Sequence, residues 1–60
     1  MIHHDDLEIG DACVLHAQDD TYEGHFQGFR KAHGMYVIEI DCDGQRLMLP
    51  TRDVEYVYAE

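Results

Sequence analysis

Leu49-Pro50-Thr51-Arg52-Asp53-Val54-Glu55-Tyr56-Val57 decides the fold. An apolar run ends at the chain's single proline, which has no N–H to offer a ladder. The polar Thr51-Arg52-Asp53 that follows is long enough for one helical turn. Val54, Tyr56 and Tyr58 then alternate with other residues, the period of a strand. A strand, a single tight turn and a short last strand are how a small five-stranded antiparallel barrel closes.

Working outward, the remaining strands fall into place. Leu7 to Asp11 reads as a lead-in, with Gly10 allowing a bend. Strand one runs over 12–17, and Gln18-Asp19-Asp20 is a turn. Strand two spans 21–29. One face carries Tyr22, Gly24, Phe26 and Gly28, and the two glycines suit a sharp bend across the core. Residues 30–34 form a polar loop, and 35–41 a third strand rich in β-branched and aromatic residues. Asp43-Gly44 is a strong hairpin signal. Strand four spans 45–49, a helical turn 50–53 and strand five 54–58. No window sustains helical three-and-four spacing. We expect one all-β domain over 1–60. Its core is Leu15, Tyr22, Phe26, Tyr36, Ile38, Ile40, Leu47, Leu49, Val54 and Tyr56. Met35, Val37, Met48 and Val57 fall on the opposite faces. That predicts self-association, with strand four or five pairing across subunits to give a homo-oligomer.

The bulk properties narrow the partners. A chain of 60 residues buries only ~60% of its unfolded surface. It carries 13 acidic residues against 4 basic ones, a net charge of −9. Such a surface repels phosphate backbones and attracts cationic proteins; solubility or halophily produces the same balance. Cys13 and Cys42 are too few for a disulfide scaffold. Their strand positions predict opposite ends of the barrel, hence free thiols and a reducing compartment. No apolar run has the length of a membrane span, and Met1 to Asp6 has no signal-peptide character. A soluble cytoplasmic protein is the expectation.

Alternate loops of a meander lie at one end. That places Arg30, Lys31, His33 and Arg52 at one pole, with Phe29 and His33 as flat surfaces for a base. These are the candidate nucleic-acid-binding residues. Asp19, Asp20, Asp41, Asp43 and Glu60 fall at the other pole. Asp19, Asp20, Glu23, Glu39, Asp41 and Asp43 make a candidate acidic face for a protein partner.

Catalytic chemistry is hard to assemble. His3-His4-Asp5-Asp6 could chelate an ion, and His16 and His25 lie on neighbouring strands, but zinc needs three or four supported ligands. The carboxylates beside Cys42 discourage a thiolate. The chain has no serine, no Gly-rich phosphate loop ahead of a helix, and too small a barrel for a ligand-sized cavity. We expect no enzyme, no metal and no cofactor.

Three resemblances sharpen this. Asp19 to Phe29, an acidic turn and a strand ending in Gly-Phe, resembles the first Sm motif. Thr51 to Val57, an arginine before a short apolar strand, is similar to the second. This likeness spans roughly 13–58 and implies an Sm-like ring with Arg30, His33 and Arg52 at an RNA-binding pore. Asp6-Leu7-Glu8-Ile9, the turn and strand through Gly24, and Tyr36 to Ile40 resemble the Rho-binding antiterminators. In that family an acidic Sm-like barrel engages a basic RNA-binding surface. Ile9-Gly10-Asp11 and Leu49-Pro50 are also similar to SH3 or Tudor-like modules. The expected fold is a five-stranded antiparallel SH3-like/Sm-like small barrel with a short helical turn before its last strand. The expected function is a binding module in nucleic-acid metabolism or its regulation. Its partner is a basic protein or, as the alternative, RNA bound by a homo-oligomeric ring through loops 30–34 and 50–53.

Overall fold

The computed structural model describes residues 3–4 and 6–60. Met1, Ile2 and Asp5, which carry part of the expectations about the N-terminus and its chelating acids, lie outside them. The elements in order are β1 (His3–His4), β2 (Ala12–Ala17), β3 (Asp20–Ala32), β4 (Met35–Cys42), β5 (Gln45–Pro50), a 3-10 turn (Thr51–Asp53) and β6 (Val54–Ala59). They form one sheet in the order β1-β6-β2-β3-β4-β5. The five strands β2 to β6 pair antiparallel, as the small-barrel expectation requires, and β1 adds to β6 in parallel. Pro50 is extended (φ −58°, ψ 133°) and leads directly into the 3-10 turn. That turn carries the chain from β5, beside β4, over to β6, beside β2. β5 is therefore an edge strand, while β6 lies between β1 and β2.

β3 makes the small barrel possible. Its 13 residues are shared between two partners. Asp20 to His25 pair with β2, and His25 to Ala32 with β4. Between these halves the strand comes very close to β4. A Cβ on Gly24 would lie 2.5 Å from the Asp41 carbonyl oxygen, so only glycine fits. A bulge follows at Gln27, with Gly28 at φ +112°. The bulge shifts the strand's phase. Gly28 faces Glu39 on the neighbouring strand, and Phe29 rather than Gly28 falls beside Ile38. The two glycines both serve the bend but do not share a face.

The tight turns keep the strands long. His33 and Gly34 have φ of 52° and 78°, and Asp43 and Gly44 have φ of 53° and 86°. Both pairs fit two-residue hairpins, whose favoured twist needs positive φ twice. Arg30 and Lys31, expected in a loop, therefore belong to β3.

The core comprises Cys13, Leu15, Ala17, Phe26, Ile38, Ile40, Val54 and Val57, with Leu7, Tyr22, Cys42, Leu47 and Leu49 against it. Two expected members are outside. Tyr36 keeps the phase of Ile38 and Ile40, but β5 ends opposite Val37. Beyond that point β5 no longer covers the ring, and it is 63% exposed. Tyr56 fails for another reason. A register shift between His16 and Ala17 inserts Glu55 into β6. Val54 and Val57, three residues apart, then both face inward, and Tyr56 turns outward at 41% exposed.

The cysteines also differ from expectation. Cys13 pairs with Gly24, and the Cys42 sulfur would lie 3.1 Å from a Cβ on that same glycine. They meet at one place because the ladders to β2 and β4 join at the β3 bend, where His25 pairs with both Ala12 and Asp41. Both are free thiols. Burial, then Cys42, Glu60 and Asp11, raises the Cys13 thiol above the ordinary value of 9.0. Burial first, then Asp41 and Asp43, raises Cys42. Among the described residues, no helix is long and apolar enough to cross a membrane.

Candidate functional site

The strand stagger redistributes the charges. Pro50 lies opposite Val37, so the turn bearing Arg52 stays near the start of β4 and the His33 hairpin. Ala17, however, lies opposite both Asp20 and Val54. The acidic turn at Asp19 and Asp20 is thus brought to the same 51–53 turn. Asp41 pairs with His25, and His25 with Ala12. The Glu60 amide donates to the Ala12 carbonyl at 3.0 Å. Asp41 and Glu60 therefore sit about five residues, or ~17 Å of strand, from Asp19 and Asp20. The two poles of opposite charge do not form, because sheared strands do not bring alternate loops together.

The cations separate as well. Arg30 and Lys31 are successive strand residues and point to opposite faces. Lys31 lies over the Tyr36 ring, 5.9 Å from its centroid. Arg30 donates to Glu39 at 3.3 Å, and Arg46 also donates to Glu39. Glu39 is 6% exposed, whereas the two arginine side chains are 59% and 61% exposed. A buried carboxylate needs partners, and cross-strand diagonals supply two. Glu39 is thus a structural anion and not part of an open acidic face. Arg46, which sequence reasoning left aside, is one of its holders. Phe29 packs edge-on against Phe26 at 5.5 Å and against His4 at 5.4 Å. His33 and Arg52 are exposed.

Other carboxylates do face water: Asp6, Glu8, Asp11, Asp19, Asp20, Glu23, Asp43, Glu55 and Glu60 are all exposed. Asp41 is half-buried, and its Oδ1 is enclosed without a hydrogen-bond partner. Lys31 and the three arginines all lie between positions 30 and 52. β2, β6 and the first ten residues of β3 therefore carry no Lys or Arg. The outward face of these strands is aromatic. His16 pairs with Tyr56 and with Thr21, and Val14 with Tyr58 and with Glu23.

A cleft of about 500 Å³ opens beside the β3 bend, lined by Leu7, Ile9, Phe26 and Phe29 with Asp6 and Glu8. A ligand-sized cavity was not expected, because it lies outside the barrel. The 8–11 turn builds it: the Gly10 amide donates to Phe26 O at 2.7 Å, and the Phe26 amide to Asp11 O at 2.8 Å. His16 and His25 do not meet. Four residues of β2 separate their ladder partners, ~13 Å of strand. Among the described residues, no group of three or more His, Cys, Asp or Glu side chains is placed to hold a metal ion.

No family model, curated protein or solved structure matches this chain.

Proposed function

We propose that this chain is a non-enzymatic, cytoplasmic binding module that docks through its carboxylate-rich surface on a basic partner protein. Its place is in nucleic-acid metabolism or its regulation, where basic protein surfaces are common. The observation that carries this is the disposition of charge. Arg30 and Arg46 are both engaged by Glu39, while Asp20 and Glu23 of β3 and Glu55 of β6 face solvent, and β2, β6 and the first half of β3 carry no Lys or Arg. A net charge of −9 makes approach to a polyanion unfavourable and approach to a polycation fast. The candidates Asp19, Asp20, Glu23, Asp41 and Asp43 remain with this surface; Glu39 leaves it. Self-association belongs to the same proposal, through the edge strand β5 and its exposed Met48.

Fluorescence anisotropy at ~50 mM salt, where phosphate contacts are strongest, tests it. A labelled arginine-rich peptide binds and a labelled single-stranded RNA does not. RNA binding that is as tight as peptide binding, and lost in Arg52→Glu, overturns it in favour of a ring presenting Phe29, Arg30, Lys31, His33 and Arg52.

A further inference from the structure

On the outward face of β6, β2 and β3 three rings meet across two strands. His16 lies 4.4 Å from Tyr56 and 5.7 Å from Tyr58, and the tyrosines stack 5.7 Å apart at 21°. The imidazole is held from both sides. Its Nδ1 lies 3.1 Å from Thr21 Oγ1, and its Nε2 3.4 Å from the Tyr58 hydroxyl. The cluster therefore has a fixed shape. Val14, the ladder partner of Tyr58, is buried although its strand phase points away from the core. Tyr56 and Tyr58 are nonetheless 41% and 37% exposed. Large rings half in water, on a rigid sheet, are what binding surfaces use as anchors.

The rim decides the occupant. Glu23 lies across from Val14, Glu55 precedes Tyr56 and Glu60 follows the strand beside Ala12; all three are exposed. No Lys or Arg occurs on β2 or β6, or on β3 before Arg30. An aromatic floor with an anionic rim is complementary to a cation that also has a flat face. Guanidinium meets both conditions: it stacks on tyrosine and pairs with carboxylates, whereas an ammonium is a compact, strongly hydrated point charge.

We propose that the His16–Tyr56–Tyr58 face is the docking site, and that it takes arginine side chains of an extended segment of a basic protein. This rests on the acidic-module reading above and names the surface and the chemistry it selects.

The probe is a labelled peptide of alternating arginine and glycine, titrated into the full chain at ~50 mM salt. Tyr56→Leu and Tyr58→Leu keep an apolar side chain at each position but remove the ring faces. We expect each to weaken binding about 3-fold and the pair about 10-fold, from exposed cation–π strengths. Thermal melts confirm folding. Glu23→Gln and Glu8→Gln change net charge equally, and the first should weaken binding more because Glu8 lines the cleft beside Phe26 and Phe29 rather than the tyrosine face. The lysine version of the peptide should bind several-fold more weakly than the arginine version. Peptide binding unchanged by the tyrosine variants, with Glu23→Gln equal to Glu8→Gln, overturns the face and leaves the acidic module standing. No binding of the peptide at all overturns both.

Discussion

Gly24→Ala gives the most exact test of the folded geometry. The backbone at Gly24 is outside the left-handed region, so alanine meets no conformational penalty there. The cost is spatial. Its Cβ would lie 2.5 Å from Asp41 O, 3.0 Å from Asp41 C and 3.1 Å from Cys42 Sγ, where ordinary contact begins at 3.4 Å. The first two are backbone atoms and cannot rotate away. β3 and β4 must separate by about 0.9 Å locally, enough to stretch a ladder hydrogen bond of ~2.9 Å out of range. A lost buried hydrogen bond costs about 1–3 kcal/mol, and overpacking a similar amount. Reduced freedom of the unfolded chain returns ~0.5–1 kcal/mol. The net is about 3 kcal/mol, against a total of roughly 3–9 kcal/mol for a chain of this length. Thermal unfolding by circular dichroism should show a fall of roughly 12–24 °C. Gly34→Ala is the control. It has nothing within 4 Å but sits at φ +78°, so only backbone strain applies. That costs ~1–2 kcal/mol, a smaller fall. A Gly24→Ala protein as stable as Gly34→Ala would refute the close approach of β3 and β4.

Other outcomes follow from the same geometry. Val57→Ala, at a site 1% exposed, should cost about 2 kcal/mol in urea unfolding, while Tyr36→Ala should cost under ~0.5 kcal/mol; the reverse order would return Tyr36 to the core. Glu39→Gln should cost about 1 kcal/mol, discounted because both arginines reach into solvent, and 1 M NaCl should narrow the difference from wild type. Native Cys13 and Cys42 should react with a thiol reagent far more slowly at pH 8 than in denaturant. Because folding raises both thiols, their stabilisation is full below pH ~8.5–9. It fades as pH climbs through the higher folded values. Rapid native labelling would contradict the burial. Sedimentation should show mass rising with concentration through β5, and a constant 7.0 kDa particle at high concentration would remove the edge association.

Much of the fold was legible because its signals are local. Pro50 ends a strand wherever it stands, Asp43-Gly44 makes a hairpin from its own two dihedrals, and Ala12 to Ala17 shows its extent directly. What was hidden depends on partners far along the chain. The extra residue at Glu55 exchanges Tyr56 for Val57 in the core, and a bulge is not visible in period-two alternation that it interrupts only once. Tyr36 has the right phase, but only the length of β5 shows that its ring lies beyond the end of that strand. The charge poles failed because parity of loops assumes level strands, whereas β3 gives its two halves to different neighbours. For the candidate site, one signal lay in the sequence: Arg30, Lys31, Arg46 and Arg52 all fall between positions 30 and 52, which leaves β2 and β6 without cations. The pairing of Glu39 with Arg30 and Arg46 had no such signature, since cross-strand diagonals need the register first.

The central claim is that the cation-free side of the sheet, not the cationic loops, meets the partner. Amide chemical-shift mapping by NMR during titration with the arginine-glycine peptide tests it most directly. Shifts are expected over 12–17, 21–25 and 55–60, with 30–33 and 52 unmoved. Shifts confined to 30–33 and 52, with single-stranded RNA replacing the peptide as the stronger ligand, would contradict it.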